Sequence, residues 1–459
     1  MRDVLDPSTG AVVDRVPELG PGDVDAVLTR TVDAHADWSR SNVRVRRDVL
    51  REVARLIRVN AEHLARLESA QAGKPISAAR GEVGAAAEVF DFYAGAVDKV
   101  HGSTIPGNAD GTLLTFREPI GPSVAIVPWN FPLLILCWKV APALAMGNAV
   151  VAKPASQTPL TAIALAELVE GAGLPPGTFQ VVTGPGGSLG EALITDPRVR
   201  KVSFTGSTEV GSRIMALAAR DITRVGLELG GKSASLVFDD LSDDQLDACV
   251  ASSLWSVFDN TGQDCCARSR MFVHESVVDD FTERFVAATE AIRIGPTGDG
   301  DTELGPLISE DQRAIAEEYL ASAQADGARL RTGGARPDLP GSYLTPAVLD
   351  QADVDMRFMR EEIFGPVVGI QSFRTEDEAI ALANASIHGL SGTIWCRDIG
   401  RALRVARGVE TGMLSINTSS SVHIEAPFGG VKQSGIGRDQ GLVALEHFSE
   451  LKTVFIAAD

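Results

Sequence analysis

From about position 24 to 100 the apolar residues recur at three- and four-residue steps. In VRVRRDVLREVARLIRVNAEHLARLESA the positions between them are filled with Arg, Glu and other polar residues, so the spacing predicts amphipathic helices. From 121 the texture changes to short apolar runs separated by helical stretches. SVAIVP reads as a strand, followed by a proline-punctuated loop and a helix over LILCWKVAPALAMG. NAVVAKP, FQVVTGPG, KVSFTGS and ASLVF read as further strands with helices between them. Strand and helix alternating this regularly predict βαβ units and a parallel sheet covered on both faces. A second alternation runs from about 268 to 420, with SRMFVH, GPVVGIQSF, SGTIWC and GMLSIN as its strands. Neither half is interrupted by a repeat or a low-complexity segment, so two α/β domains are expected.

Composition changes this picture only by exclusion. A chain of 459 residues is too long for one ordinary core, which agrees with two or three domains. The net charge of −19 and the lack of any Lys/Arg run exclude a nucleic-acid partner, because an acidic surface repels phosphate backbones. The start, MRDVLDPSTG, has no basic segment followed by an apolar one, so no secretory signal is expected and a reducing cytoplasm is the default. GPSVAIVPWNFPLLILCW (121–138) has the length of a membrane span. However, Pro122, Pro128, Pro132 and Asn130 would leave polar groups unsatisfied in lipid, and buried core plus a loop is the better reading.

Four motifs carry candidate chemistry. KVSFTGSTEVG (201–211) is a strand running into a helix start. Gly206 permits a tight turn, and the free N–H groups around Ser207 favour a phosphate; a Ser-capped helix without a ligand fits the same residues. ELGGKS places Glu228 before a glycine pair, as a general base held in an apolar setting or as a surface carboxylate at a strand end. PWNFP holds Asn130 between prolines, either as a rigid amide donor for an oxyanion or as a turn residue. NTGQDCCARSR sets Cys265 beside Cys266. Metal ligation is not expected, because adjacent cysteines lack the C-x2-C spacing of a zinc knuckle.

The order PWNFP, VAKPASQTP, FTGSTEVG, ELGGKS, GQDC, EEIFGPV and PFGGVKQSGIGR resembles the aldehyde dehydrogenase superfamily over essentially the whole chain. The resemblance implies a Rossmann-like cofactor domain (1–100 and 120–229), an α/β catalytic domain (230–446), and a small β element for bridging and oligomerisation (101–119 and 447–459). It implies a cytoplasmic enzyme oxidising a small aldehyde with NAD or NADP, as a homodimer or homotetramer with no membrane partner. The nucleophile implied is Cys265, with Cys266 as packing. Asn130 would hold the oxyanion, Glu228 would activate water, and Lys139 would relay its proton. For the cofactor the resemblance implies Trp129, Lys153, Ser156, Gly186, Gly206, Ser207, Leu229, Glu362 and Phe364. For the substrate it implies Phe131, Ile135, Trp138, Val422 and Phe428.

Three positions depart from the pattern of many relatives: Ser156 where NAD-preferring members carry Glu, Asp439 where Glu is usual, and Val422 where several place an aromatic ring. Asp264 before the nucleophile resembles the aminoaldehyde-oxidising branch. With Glu425 it implies preference for a cationic aldehyde, unless Asp264 only caps a local turn or Arg268 turns inwards to meet an anion. A generalist or semialdehyde dehydrogenase is the alternative. A CoA-acylating enzyme would lack the carboxylate at 228, and a non-catalytic descendant would have lost the Cys, Glu or Asn.

Overall fold

The computed structural model of the chain describes residues 1–107 and 110–458. Asn108, Ala109 and Asp459, all inside the expected bridging element, lie outside the described residues. The periodic segment forms the helices Val24–Trp38, Val43–Val59, Ala61–Ala72 and Ile76–Ala96. Asn42 starts the second of these by accepting from the N–H of Arg44, and Val49, Leu50, Val53, Ala54 and Ile57 form its buried stripe, the helical period seen in the sequence. This stripe shares one core with the helix Pro132–Ala145, in which every residue except Leu134 is buried. The 121–138 stretch is therefore a strand (Ser123–Ile126), a loop and the start of a buried helix. Among the described residues no helix is long and apolar enough to cross a membrane.

The first alternation builds a six-stranded sheet. Its order is Gly435–Ile436, Arg224–Glu228, Lys201–Thr205, Ser123–Ile126, Val150–Lys153, Phe179–Val181, and all neighbours are parallel except the first pair. From Ser123–Ile126 the chain adds strands outward in one direction and then returns to add them on the other side. The direction reverses between Ser123–Ile126 and Lys201–Thr205, and a crevice opens outside the carboxyl ends of the strands at such a point. The antiparallel pair comes from far along the chain: Gly435 pairs with Glu228 and Ile436 with Leu227. A stretch expected to belong to the second domain (230–446) thus completes the first sheet.

The second alternation builds a seven-stranded sheet in the order Arg329–Thr332, Ala347–Asp350, Val367–Phe373, Arg270–His274, Ala234–Val237, Gly392–Trp395, Ser415–Ile416. The terminal run ELKTVFIAAD lies mostly in the strand Ser449–Ala457, which pairs antiparallel with Gly111–Pro119 of its own chain from Ser449↔Pro119 to Ala457↔Gly111. It is the outer strand of a three-stranded sheet that ends in Thr104–Ile105. The hydrophobic pattern did not signal the N-terminal hairpin of Arg2–Leu5 and Val12–Val16, whose strands are mostly exposed.

Candidate active site

The loops that leave the carboxyl edge of the six-stranded sheet enclose a cleft of about 680 Å³. From the switch point come Pro128, Trp129 and Asn130 on one side and Thr205, Gly206 and Ser207 on the other. Leu229 and Gly230 follow the next strand, and Cys265, Gln312, Glu362 and Phe364 close the cleft from the second sheet. Eight of the expected site residues, Trp129, Asn130, Gly206, Ser207, Leu229, Cys265, Glu362 and Phe364, line this one cleft.

The backbone before the cysteines is bent into an uncommon shape. Asn260 and Thr261 have φ of 49° and 60°, and Gly262 follows at 70°. Consecutive left-handed residues are unfavourable for side chains bearing a Cβ and persist only where neighbours over-determine them. Here those neighbours are explicit. The Asn260 amide donates to the carbonyls of Asn130 (3.0 Å) and Gln263 (3.2 Å), and Gln263 donates back to the Asn260 carbonyl (2.9 Å). Gln263 Oε1 accepts from the N–H of Ile308 at 2.8 Å. After the bend Asp264 accepts from the N–H of Cys266 at 2.9 Å. Cys265 is half-buried and Cys266 is buried. The Cys266 thiol, followed by burial, pushes the Cys265 thiol well above its ordinary pKa.

Asn130 Nδ2 donates to the Gln263 carbonyl at 2.9 Å. An amide NH2 has two donors, so one fixes the side chain to the cysteine turn while the second is available to the cleft. The glycine pair after Glu228 is explained by close approaches. A Cβ on Gly230 would lie 2.2 Å from Glu362 Oε2, and one on Gly231 would lie 2.2 Å from the Cys265 carbonyl oxygen. Glu362 accepts from the N–H of Gly231 at 2.9 Å, and burial pushes its carboxyl up to about 7. Phe364 takes a left-handed φ of 58° and meets Trp129 edge-on at 5.2 Å. Ser434 ties the distant PFGGVKQSG segment to this turn, donating to the Gly230 carbonyl at 2.7 Å.

Glu228 is buried rather than a surface carboxylate. It does not line the cleft itself, although Leu229 does. Its Oε2 has no hydrogen-bond partner. Burial, reinforced by the charge of Asp439 and opposed by Lys139, pushes its carboxyl well above the usual carboxylate range. Lys139 differs from both sequence readings, the relay beside Glu228 and the exposed helical lysine. It is buried, and its ammonium donates to Asp439 (2.9 Å) and Ser203 (3.2 Å), not to Glu228. A buried ammonium needs an anion in contact, and Asp439 provides it.

Other expected residues fall outside the cleft. Lys153 and Ser156 sit at the carboxyl end of the strand Val150–Lys153, and Ser156 lines a separate crevice with Pro154 and Gly184. Gly186, expected beside Trp129, is exposed at the start of the helical turn Gly186–Gly190. On the opposite side of the cysteine turn, Ile135, Trp138 and Phe428 belong to the buried cluster that includes Cys266, with Phe131 and Cys265 packed against it. The Trp138 and Phe428 rings lie 4.9 Å apart. Lys74 caps the Phe131 ring at 4.2 Å. Val422 is exposed. Arg268 is buried and does not reach into the cleft: it donates to Thr393, the Cys266 carbonyl, the Ser419 carbonyl and Ser421. Sequence reasoning missed Gln312, which donates to the carbonyls of Ile363 and Phe364 at 3.0 Å each and which no motif marks. It also passed over Thr205, although that residue stands inside KVSFTGSTEVG.

The residues present fit a dinucleotide. The buried Thr205 hydroxyl has no partner and faces a cleft that also receives the N-terminus of the helix Thr208–Ala218, capped by Ser207. Helix N-termini bind phosphate. Glu362 presents a carboxylate for ribose hydroxyls on the cysteine side.

Comparison with known proteins agrees with this geometry. Residues 1–454 match the model of the aldehyde dehydrogenase family. The chain is 40% identical to a 3-sulfolactaldehyde dehydrogenase of Pseudomonas putida, over 98% of this chain and 92% of the relative. It is 41% identical to a betaine aldehyde dehydrogenase of Cereibacter sphaeroides, over 99% of this chain and 93% of the relative. A crystal structure of betaine aldehyde dehydrogenase from Staphylococcus aureus in complex with NAD+ superposes with a TM-score of 0.96 at 38% identity, covering 99% of this chain and 91% of that one. With its fold, cleft and whole length in agreement, the chain belongs to the aldehyde dehydrogenase family and is an NAD(P)-dependent oxidoreductase acting on an aldehyde.

Proposed function

We propose that Cys265 carries the reaction, on the strength of one observation: it is the half-buried thiol at the switch-point cleft, beside an amide whose position is fixed by the cysteine turn itself. The thiol gives its proton to solvent water as the aldehyde arrives, and the sulfur bonds to the carbonyl carbon to give a thiohemiacetal. The free N–H of Asn130 and the Cys265 N–H hold the oxyanion. A bound dinucleotide supplies the hydride acceptor. Loss of hydride from the substrate carbon leaves a thioester on Cys265. Glu228, turning from its buried position, takes a proton from water; the hydroxyl adds to the thioester, and the thiol leaves with the acid. Lys139 and Asp439 act on Glu228 by charge and not as a direct relay.

The NAD(P)-binding domain would comprise 1–100 and 120–229, the catalytic domain 230–446, and the element of 101–119 and 447–459 would bridge subunits of a cytoplasmic homodimer or homotetramer. The outer strand Ser449–Ala457 supports this, because Leu451, Phe455 and Ile456 are exposed on it and an unpaired apolar edge invites a partner.

The substrate class is an aldehyde with a cationic tail. Asp264 keeps its carboxyl beside the two cysteines, one donor atom of each lying within 4.8 Å of the others, and Glu425 is exposed in the loop before Phe428. Asp264 also caps the turn through one carboxylate oxygen. The guanidinium of Arg268 is taken up by carbonyls and hydroxyls, which leaves it unable to grip a carboxylate or sulfonate bidentately. Among the relatives, betaine aldehyde carries the cation and 3-sulfolactaldehyde the anion. Purified protein should therefore reduce NAD fastest with 4-aminobutyraldehyde or betaine aldehyde. The kcat/KM for succinic semialdehyde should be lower by about tenfold, the scale of one screened charge pair, and Asp264→Asn should narrow that gap. Equal or better use of succinic semialdehyde by the unaltered protein overturns the substrate reading.

A further inference from the structure

Just past the Gly230–Gly231 turn, the amino edge of the seven-stranded sheet carries groups that the oxidation does not use. Three parallel strands, Arg270–His274, Ala234–Val237 and Gly392–Trp395, begin there side by side. Around their starts lies a crevice lined by Lys232 and Ser233 ahead of one strand, by Arg270 at the start of the next, and by His388, Glu410 and Thr411. The space among these side chains is about 20 Å³ for the centre of a water-sized body, which admits a monatomic ion or a water.

The crevice gathers polar atoms that lack partners. Among the described residues, Ser233 Oγ, Thr411 Oγ1 and His388 Nδ1 are buried with no hydrogen bond, and all three residues line this one space. Lys232 is 2% exposed, and among the described residues its ammonium has neither a hydrogen bond nor a carboxylate in ion-pair contact. Arg270 is buried too, and its guanidinium donates only to carbonyls, those of Lys232 (2.8 Å), Ala383 (3.0 Å), Leu382 (3.2 Å) and Ala385 (3.4 Å). The carboxylate that lines the crevice, Glu410, is exposed and lies 2.6 Å from the Lys432 ammonium. Burial, and then the charge of Arg270, push the Lys232 ammonium down to about 7.

A buried cation is costly unless an anion meets it. A body in this space faces an ammonium and two hydroxyl donors, with the guanidinium charge beside them. Water would satisfy the hydroxyls and leave both charges uncompensated. Phosphate, sulfate and carboxylates exceed the space. We propose that the crevice is a halide site, taking one chloride ion between the Lys232 ammonium and the hydroxyls of Ser233 and Thr411. The ion offsets the buried charge of Lys232 and Arg270 and fixes the segment 230–233, whose leading residue Gly230 lines the cofactor cleft. Lys232, Ser233 and Thr411 do not line that cleft, so the site is a structural anchor behind it.

The test has two arms on the full chain. Crystals grown with bromide in place of chloride should show an anomalous peak in this crevice. Thermal melts in sodium chloride should have higher midpoints than melts in sodium gluconate at equal ionic strength, the difference growing with the logarithm of chloride concentration. Lys232→Met should remove the difference. Thr411→Val and Ser233→Ala should each raise by about tenfold the chloride concentration needed for the same shift, the scale of one hydrogen bond to a charged group. If Lys232→Met does not fold, these two milder variants carry the test. A crevice without a bromide peak holds water only and overturns the inference. So does a chloride effect that Thr411→Val and Ser233→Ala leave unchanged, since the ion then binds elsewhere.

Discussion

The two ends of the proposed cofactor path are built in opposite ways. At the cysteine end three polar side chains are each fixed by backbone partners: Asn130 on the Gln263 carbonyl, Gln263 on Asn260 and Ile308, Glu362 on Gly231. Left-handed Asn260 and Thr261 are held in place there. At the Ser156 crevice the contacts are looser: Ser156 donates to the Gly184 carbonyl at 3.4 Å, and Arg2, which lines the same crevice, meets Glu18 in a half-exposed ion pair. The first end must present its groups within a fraction of an ångström of one geometry, and reactivity depends on that. If the second end receives the adenosine ribose, as expected for Lys153 and Ser156, it would only have to hold a ligand in place, and loosely held side chains suffice.

The sharpest break in this contrast is Cys265→Ser. A serine hydroxyl without an adjacent strong base is barely ionised, so aldehyde oxidation should fall by about 10⁴-fold or more. Cys266→Ser, a change in a packed neighbour, should keep most of the rate. Stopped-flow and steady-state reduction of the cofactor report both, and a reversal of the two results would move the nucleophile to Cys266.

Glu228→Gln tests whether the buried carboxylate belongs to the rigid end. It should leave a burst of reduced cofactor and slow turnover by roughly 10²–10⁴-fold. Loss of the burst as well would assign Glu228 to activation of Cys265. The pH dependence follows from its raised pKa. A base works only when ionised, so turnover should rise with pH across a window above the ordinary carboxylate range. Stability runs the other way. The folded state holds a proton at Glu228 that the unfolded chain releases, so this group's stabilising contribution is fully present below the ordinary value and is lost as pH rises through the folded one. Thermal melts of Glu228→Gln should show a shallower decline over that window than those of the unaltered protein.

The smallest effect lies where the two ends join. A methyl at Gly230 would meet the Glu362 carboxylate and push it off Gly231. Gly230→Ala should weaken NAD by roughly tenfold, the scale of one displaced charge-assisted contact, with the NADP-to-NAD ratio unchanged. A shift in that ratio, read from the two KM values, would show that the ends are coupled after all.

The same contrast decides what was legible in the sequence. Cys265, Asn130, Glu362 and the Gly230–Gly231 pair stand in short contiguous motifs, because each is shaped by backbone a few residues away or by a turn that only certain residues permit. Alternation of apolar runs was enough for both parallel sheets, since strands covered on both faces are continuously apolar. The hairpin of Arg2–Leu5 was missed because its strands are mostly exposed and so lack that signal. The bond from Lys139 to Asp439 and the place of Gln312 went unnoticed, because their partners are brought to them only by the fold. The return of Gly435–Ile436 to pair with Leu227–Glu228 went unnoticed for the same reason.

The bond from Lys139 to Asp439 joins residues 300 positions apart. Synthesis runs from the N-terminus, and domains fold as they emerge from the ribosome. The helix Pro132–Ala145 is therefore made with an ammonium that has no anion to meet until the final stretch of the chain appears. Glu228 likewise lacks its strand neighbour Gly435 until then. On the function proposed above, a ribosome stalled before residue 439 would hold a chain whose thiol is present and whose base still lacks the neighbours that set it.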